Sequence, residues 1–392
     1  MNRRDFLKMC QLLGVTACLP PFLNATGHQV NDGRRFDGTV LIIGAGAAGL
    51  TAGYLLRQQG IDFRILEASS AIGGRMKRSA DFADFPIPLG AEWLHVSLSI
   101  FEELVNDSRV AIGIETTPYE TTDLAGFYDG ETLTYHQVGD FDDRKFIGTT
   151  WFDFFQRYIY PSVAEHIIFN REVTHVDYTG KQVVVTSKDN LMKADRVILT
   201  APVKLLQSNA ITFLPALPIR KREAIAKVNV WDGCKLFIAF SARFYPTFIE
   251  LATDHKIEGE KLYYDAAYGQ DSDQHILGLF SVGAWASHYN QLDESALIEE
   301  VLAELDGLFD GQASKYYLRH LYQNWNTEPF AKGGYVADDE SWLLVRRLGE
   351  SVGHRLYFAG DAYTDGTDWS SVHAAARSAR AVVEEILDSL ER

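Results

Sequence analysis

Gly44, Gly46 and Gly49 stand in GxGxxG spacing between an apolar run, Val40–Ile43, and a helical stretch through Leu50–Gln59. In such a turn the first glycine permits the tight bend and the second lets the backbone approach a pyrophosphate. The third packs the helix closely on the strand. The helix points its free N–H groups and positive dipole end at the phosphate. Gly60 closes the helix, Phe63–Leu66 supplies the next strand, and Glu67 ends that strand. A carboxylate about 20 residues beyond the turn is placed to bind both ribose hydroxyls of an adenosine. It also repels a 2′-phosphate, which argues against an NADP-type ligand. A lone GxGxxG is often only a glycine loop, but flanking strand, helix and terminal glutamate make this one a dinucleotide site.

Gly73-Gly74-Arg75 and Leu89-Gly90-Ala91-Glu92-Trp93-Leu94-His95 follow in order. With the first turn they make the chain resemble the flavin-dependent amine oxidase family, whose pattern is GxGxxG, then LEA…GGR, then LGAxWxH. The likeness continues through Ala194–Pro202, through Asn324–Tyr335 (NWNTEPFAKGGY) and through Phe358-Ala359-Gly360-Asp361. The resemblance implies FAD, bound by Gly44, Gly46, Ala47, Ala48, Gly49, Glu67, Ala68, Gly74 and Arg75, with Arg75 on the pyrophosphate. It places the backbone of Gly90, Ala91, Glu92 and Trp93 beside the flavin ring. Val173, Gly360, Asp361, Ser371 and Val372 complete the set, the amide and acid of the Gly360-Asp361 turn reaching the ribityl chain.

Two catalytic residues follow from the same resemblance. Lys235 aligns with the lysine that holds a water against flavin N5; desolvation lowers a lysine pKa and suits it to moving protons. The alternative is a strand lysine paired with Asp232. Tyr335 aligns with one wall of an aromatic cage over the flavin. Its preceding residue is Gly334, where covalently flavinylated relatives have cysteine. On the other wall Val372 stands where many relatives have tyrosine, unless Trp369 or His373 leans in. His95 is a further candidate acid or base. The implied reaction is hydride transfer from an amine carbon to flavin N5, giving an imine, with oxygen or a periplasmic electron acceptor taking the electrons. A flavin desaturase or nicotinamide-linked flavoprotein of the same fold, and a non-catalytic FAD-binding protein, are the alternatives.

The elements that must position these residues are those of an α/β chain. A Rossmann-type FAD-binding domain is assembled from discontinuous segments, 38–95, 171–210 and 353–392. A substrate domain of mixed sheet and helices takes 96–170 and 211–352. At 392 residues the chain exceeds the usual size of one core. Lys235–Phe240, His275–Val282 and Tyr316–Trp325 read as strands, Ser295–Phe309 as a surface-packed helix and Ala374–Leu387 as the closing helix. The first insert is shorter than the helical stretch the family usually has there.

A net charge of −16 disfavours nucleic acid and anionic membranes as partners. Asn2-Arg3-Arg4-Asp5-Phe6-Leu7-Lys8 and the apolar Met9–Leu23 resemble a twin-arginine export signal over residues 1–25, too short to span a membrane. The export machinery would be a partner and the periplasm the destination. Val15-Thr16-Ala17-Cys18 fits a lipoprotein box, with a lipid anchor on Cys18; cleavage after Ala25 is the other route. Cys10 and Cys18 both lie in that segment, so the mature chain forms no internal disulfide. No metal-ligand spacing, GxSxG, P-loop or HExxH is found in the sequence.

Overall fold

The computed structural model describes residues 38–188, 190–252 and 258–389. The export signal, Cys18 and the Ala25 cleavage point lie outside the described residues. Among those described, no helix is long and apolar enough to cross a membrane.

Thr39–Ile43 is the central strand of a five-stranded parallel sheet. The order is Leu356–Phe358, Arg196–Leu199, Thr39–Ile43, Asp62–Leu66, Ile167–Ile168. An unbroken apolar run suits a strand covered on both faces, and the alternation shows it. Val40 and Ile42 enter one core, under the helices Ala47–Gln58 and Val372–Asp388. Leu41 and Ile43 enter the other, against an antiparallel layer built on Val173–Asp177, Val183–Ser187 and Asn190–Ala194. The first helix starts at Ala47, three residues ahead of the expected Leu50, with Gly46 as its N-cap.

Facing this unit is a seven-stranded sheet ordered Tyr317–Asn324, Gly233–Phe240, His275–Gly283, Gly259–Asp265, Phe248–Leu251, Leu124–Tyr128, Leu133–Gln137. Its strand Gly233–Phe240 is buried along its whole length. Cys234, Leu236 and Ile238 pack on the side of the helix Glu294–Leu308. Phe237 and Ala239 point the other way, into a core with Phe82, Ile87 and Tyr264. Strand alternation puts Lys235 on this second face.

The packing does not divide the chain at the expected boundaries. Ile167–Ile168, assigned to the substrate side, is the edge strand of the parallel sheet. Helix Ser99–Val105 and residues 151–163 bury Ile100, Phe101, Leu104, Trp151, Phe154 and Ile159 in the same core as Val40. The helices Ile219–Lys227 and Trp342–Gly349 join the opposite core through Ala224, Ile225, Val345 and Leu348. Each has an apolar stripe, and a stripe is buried against whatever open face lies nearest in space. Spacing in the sequence does not say which face that is.

Candidate active site

The carboxyl ends of parallel strands are where open α/β sheets bind ligands, and a cavity of about 3030 Å³ opens there, lined by Ile43, Leu66, Thr200 and Gly360. It continues onto the seven-stranded sheet at Gly233, Lys235, Leu262 and Phe280. The volume far exceeds the roughly 300–1,000 Å³ of ordinary ligand pockets, so it has room for a dinucleotide and a second molecule. Every expected site residue lines it except Gly49.

The glycine turn divides its labour. A Cβ on Gly49 would sit 1.9 Å from the Gly44 carbonyl oxygen, so this glycine lets the helix seat on the turn and stands outside the cavity. That corrects the expectation that Gly49 touches the cofactor. A Cβ on Gly46 would meet only the Cα of Gly74, at 4.0 Å, and would otherwise project into open space. Gly74, at φ +54°, faces it from the second turn. The first turn of Ala47–Gln58 holds no acidic residue and Gly46 supplies no side-chain cap, so its positive end is left to the cavity. Glu67 lies at the adjoining strand end, its Oε2 accepting from the Ala45 amide at 2.7 Å and its Oε1 from the Ser69 amide and hydroxyl at 2.9 and 2.8 Å. Bare amides, a glycine-lined cradle and an acid at the strand end fit an anionic dinucleotide.

Arg75 stands at the cavity but its charge is shared. One guanidinium nitrogen donates to the Gly334 carbonyl and another to the Asp361 carboxylate, both at 2.5 Å. It ties its own turn to the Asp361 turn and to the segment before Tyr335, and it lines the cavity with guanidinium N–H donors beyond those two. Asp361 is thereby engaged as well, and the Gly360 amide donates to Ser378 Oγ at 2.8 Å rather than to the cavity. Gly90 is required by its neighbour, since a Cβ there would fall 1.8 Å from the Arg75 carbonyl oxygen.

Lys235 is buried, and its Nζ donates to Glu92 Oε2 at 2.6 Å and to the Pro88 carbonyl at 3.3 Å. Its partner is therefore Glu92 and not Asp232, which pairs with Ser287 and Lys204. Glu92 Oε1 accepts from Lys145 Nζ at 2.5 Å, and Oε2 also accepts from the Tyr264 hydroxyl. Expected beside the flavin through its backbone, Glu92 matters through a carboxylate sunk between two lysines. Burial works against its charge, but Lys145 and Lys235 outweigh that and hold the carboxyl below its usual range. For Lys235, burial pulls the pKa below the usual lysine value, with Glu92 opposing.

Tyr335 lines the cavity, half-buried, and its ring lies 6.0 Å from that of Trp231. Burial raises its phenol well above the ordinary value, and the nearby Asp338 and Glu260 add to the rise, so it remains protonated. Val372, expected as the other wall, is packed in the core with the first helix. Trp369 lines the cavity and donates to the Ala337 carbonyl at 3.1 Å. His373 is buried, its Nε2 2.8 Å from Asp368. The half-exposed His95 pairs with Asp143 at 2.8 Å. Cys234 packs on the helix side of its strand, its thiol pushed up to about 12 by burial.

Sequence reasoning missed Lys145, Trp231 and Phe280. Trp231 and Phe280 pack with Tyr335, and Phe280 meets Trp93 edge-on at 6.0 Å. Lys145 lies between Arg144 and Phe146 in the short strand Arg144–Ile147, opposite Thr117, with no pattern around it that marks a buried lysine. What it faces is not legible.

The pattern described as flavin containing amine oxidoreductase matches residues 152–387, and an NAD(P)-binding Rossmann-like domain matches residues 42–107. Lysine-specific histone demethylase 1 homolog 2 of Arabidopsis thaliana is 24% identical over 437 residues, covering 90% of this chain and 58% of that protein. Lysine-specific histone demethylase 1B of Mus musculus is 26% identical over 205 residues, covering 48% of this chain and 24% of that protein. The chain thus spans little more than half of the first and a quarter of the second. Polyamine oxidase 4 of Oryza sativa subsp. japonica is 23% identical, with 88% of each chain covered. Among solved structures, cyclohexylamine oxidase from Brevibacterium oxydans IH-35A shares the fold at a TM-score of 0.75. It is 15% identical, with 91% of this chain and 100% of that chain covered.

Proposed function

We propose that this chain, which belongs to the flavin-containing amine oxidoreductase family, dehydrogenates an amine carrying a second cationic group to its imine. The cofactor is FAD. When bound, FAD supplies a hydride acceptor for the C–H bond beside an uncharged amine nitrogen. The chain's own residues hold, orient and exclude water. Amides of the Ala47–Gln58 N-terminus and the open face of Gly46 would hold the pyrophosphate, and Glu67 the ribose. Tyr335, a neutral phenol, orients the amine. Lys235 holds or moves a proton at Nζ.

The observation that carries this reading is that Lys235 and Tyr335 line one cavity with the nucleotide turn. The cationic substrate is supported by the lining itself, in which carboxylates, among them Glu120, Glu250, Glu260 and Asp338, outnumber lysines and arginines. The names polyamine oxidase and histone demethylase among the relatives agree with it. Oxygen or a periplasmic acceptor takes the electrons. Export by the twin-arginine route, with a possible lipid on Cys18, is part of the proposal and is supported by Arg3-Arg4 ahead of the apolar Met9–Leu23.

An anaerobic amine screen, read as bleaching of the yellow colour, tests the reaction. Diamines and polyamines should bleach it faster than simple alkylamines. Tyr335→Ala should slow reduction on the order of 100-fold, the cost of misplacing the reacting carbon by about an ångström. Lys235→Met should act mainly on reoxidation. Bleaching by NADH and by no amine, or two variants indistinguishable from the parent in both half-reactions, would defeat the assignment.

A further inference from the structure

We infer that Lys145 is a positioning residue that sets the protonation of Lys235 through the carboxylate they share, Glu92. The inference rests on the reading of Lys235 given above.

Four separate segments converge on this point: the loop carrying Glu92, the strands Arg144–Ile147 and Gly233–Phe240, and the strand Gly259–Asp265, which brings Tyr264. The side chain of Glu92 is 1% exposed and those of Lys145 and Lys235 are each 4% exposed. Lys145 holds Oε1, while Oε2 accepts from both Lys235 and the Tyr264 hydroxyl.

The charges do not balance. Two ammonium groups face one carboxylate where water is excluded, and a buried charge without a counter-charge is costly. The cluster relieves the excess by giving up a proton, and Lys235 is the member that can exchange it. Lys235 lines the cavity, and Glu92 and Pro88 use two of its three N–H positions. Burial favours its neutral form, Glu92 opposes, and the charge of Lys145 favours the neutral form again.

The other titratable groups around it do not supply the missing negative charge. Burial and the charge of Glu92 keep Tyr264 a phenol, and burial keeps Tyr119 one. Asp265, on the Tyr264 strand, is held up by burial; its carboxylate pairs with Arg243 and also feels the charge of Lys145, but it does not act on Lys235. On the neighbouring strand Gln323 stands opposite Lys235 in register and holds Glu328, which is paired with Lys77. Neutral Lys235 accepts a proton from the cavity at Nζ and becomes the ammonium partner of Glu92. Because Lys145 already draws on that carboxylate, the proton is held weakly enough to be returned.

The test uses the FAD-loaded protein and three variants, Lys145→Met, Lys145→Arg and Lys235→Met. The readouts are the pH dependence of both half-reactions, the pH titration of the bound flavin's absorption spectrum without substrate, and thermal stability. Neutral Lys235 is the active form, so activity falls as pH drops through its pKa. Lys145→Met leaves a balanced Lys235–Glu92 pair, and should move both the activity midpoint and the spectral midpoint upward by about one pH unit or more, with stability kept. Lys145→Arg restores the charge and should return both midpoints to the parent's. Lys235→Met should lack both. Midpoints unmoved in Lys145→Met but absent in Lys235→Met would overturn the role of Lys145 and leave that of Lys235 intact. Midpoints persisting in Lys235→Met would overturn the reading of Lys235 itself. Failure of Lys145→Met to fold would show that the lysine is needed for structure and would overturn the charge argument. A Glu92→Gln variant as stable as the parent would overturn it too, since Lys145 would then be a buried ammonium group without its counter-charge.

Discussion

Glu67 does two things with one carboxylate. It closes the glycine turn by accepting the Ala45 amide and pins the next turn through Ser69, and it stands where an adenosine ribose would bind. Oε2 has a second acceptor direction to spare for the ribose, whereas Oε1 already takes both Ser69 donors. Glu67→Ala should therefore weaken FAD binding by about 1.5–3 kcal/mol for each charged hydrogen bond lost to the ligand, roughly ten- to 150-fold in Kd. It should also lower the Tm of the FAD-free protein, because the two backbone clamps go with it. Fluorescence titration of FAD into stripped protein measures the first effect and a melting curve the second. A variant that loses affinity with an unchanged apo Tm would show that the clamps do not stabilise the turn.

At the scale of elements, the first strand, turn and helix separate two uses of glycine. Gly49→Ala forces a methyl group to 1.9 Å from the Gly44 carbonyl. It should destabilise the fold by about 1–3 kcal/mol or more, as overpacking does. Gly46 sits at φ −80°, which alanine adopts freely, and its Cβ would project into the cavity. Gly46→Ala should keep the parent's apo Tm and lose FAD. Paired melting and flavin-retention measurements check both; a fall in apo Tm for Gly46→Ala would show that the turn, rather than the ligand, requires this glycine. The helix Trp342–Gly349 gives a pH-dependent counterpart. Its end is capped by Lys221 from another helix, whose Nζ donates to the carbonyls of Leu348 and Glu350, both at 2.6 Å, beneath the Phe358 ring. Burial draws that pKa from 10.5 down to about 7. Between those values the unfolded chain binds more protons, so the Lys221 contribution to stability rises with pH from about 7 to about 10.5. Urea unfolding across that range should show the rise in the parent and its loss in Lys221→Met. Equal slopes in the two would mean that the folded lysine keeps its full charge at neutral pH.

For the molecule as a whole, the proposed export rests on residues outside the described ones, Arg3-Arg4 and the apolar Met9–Leu23. Arg3→Lys/Arg4→Lys should leave precursor in the cytoplasm, and palmitate labelling lost in Cys18→Ala would identify the lipidated form. Unchanged periplasmic yield from the double-lysine variant would refute the twin-arginine route. Within the fold, the glycine turn, the Glu67 terminus and the strands at Val40–Ile43, Phe63–Leu66, Lys235–Phe240, His275–Val282 and Tyr316–Trp325 were legible because their signals are local, whereas Leu124–Tyr128, Leu133–Gln137, Phe248–Leu251 and Gly259–Asp265 were not read. A strand–turn–helix–strand unit needs some thirty consecutive residues, and apolar periodicity marks each legible strand wherever it lies in the chain. Alternation along Gly233–Phe240 even separates Lys235 from Cys234 by face. Which segments share a core was not legible: residues 151–163 pack with Val40 although they lie in the stretch read as substrate domain. Nor were the partners of buried charges. Glu92, Lys145, Lys235 and Tyr264 meet only because four segments fold onto one point. Periodicity tells a side chain which face it occupies, whereas the counter-charge it meets there depends on the register and docking of strands remote in sequence. The sequence by itself determined a dinucleotide fold and its family chemistry; the tertiary structure alone decided that Arg75 is paired with Asp361 and that Lys235 answers to Glu92.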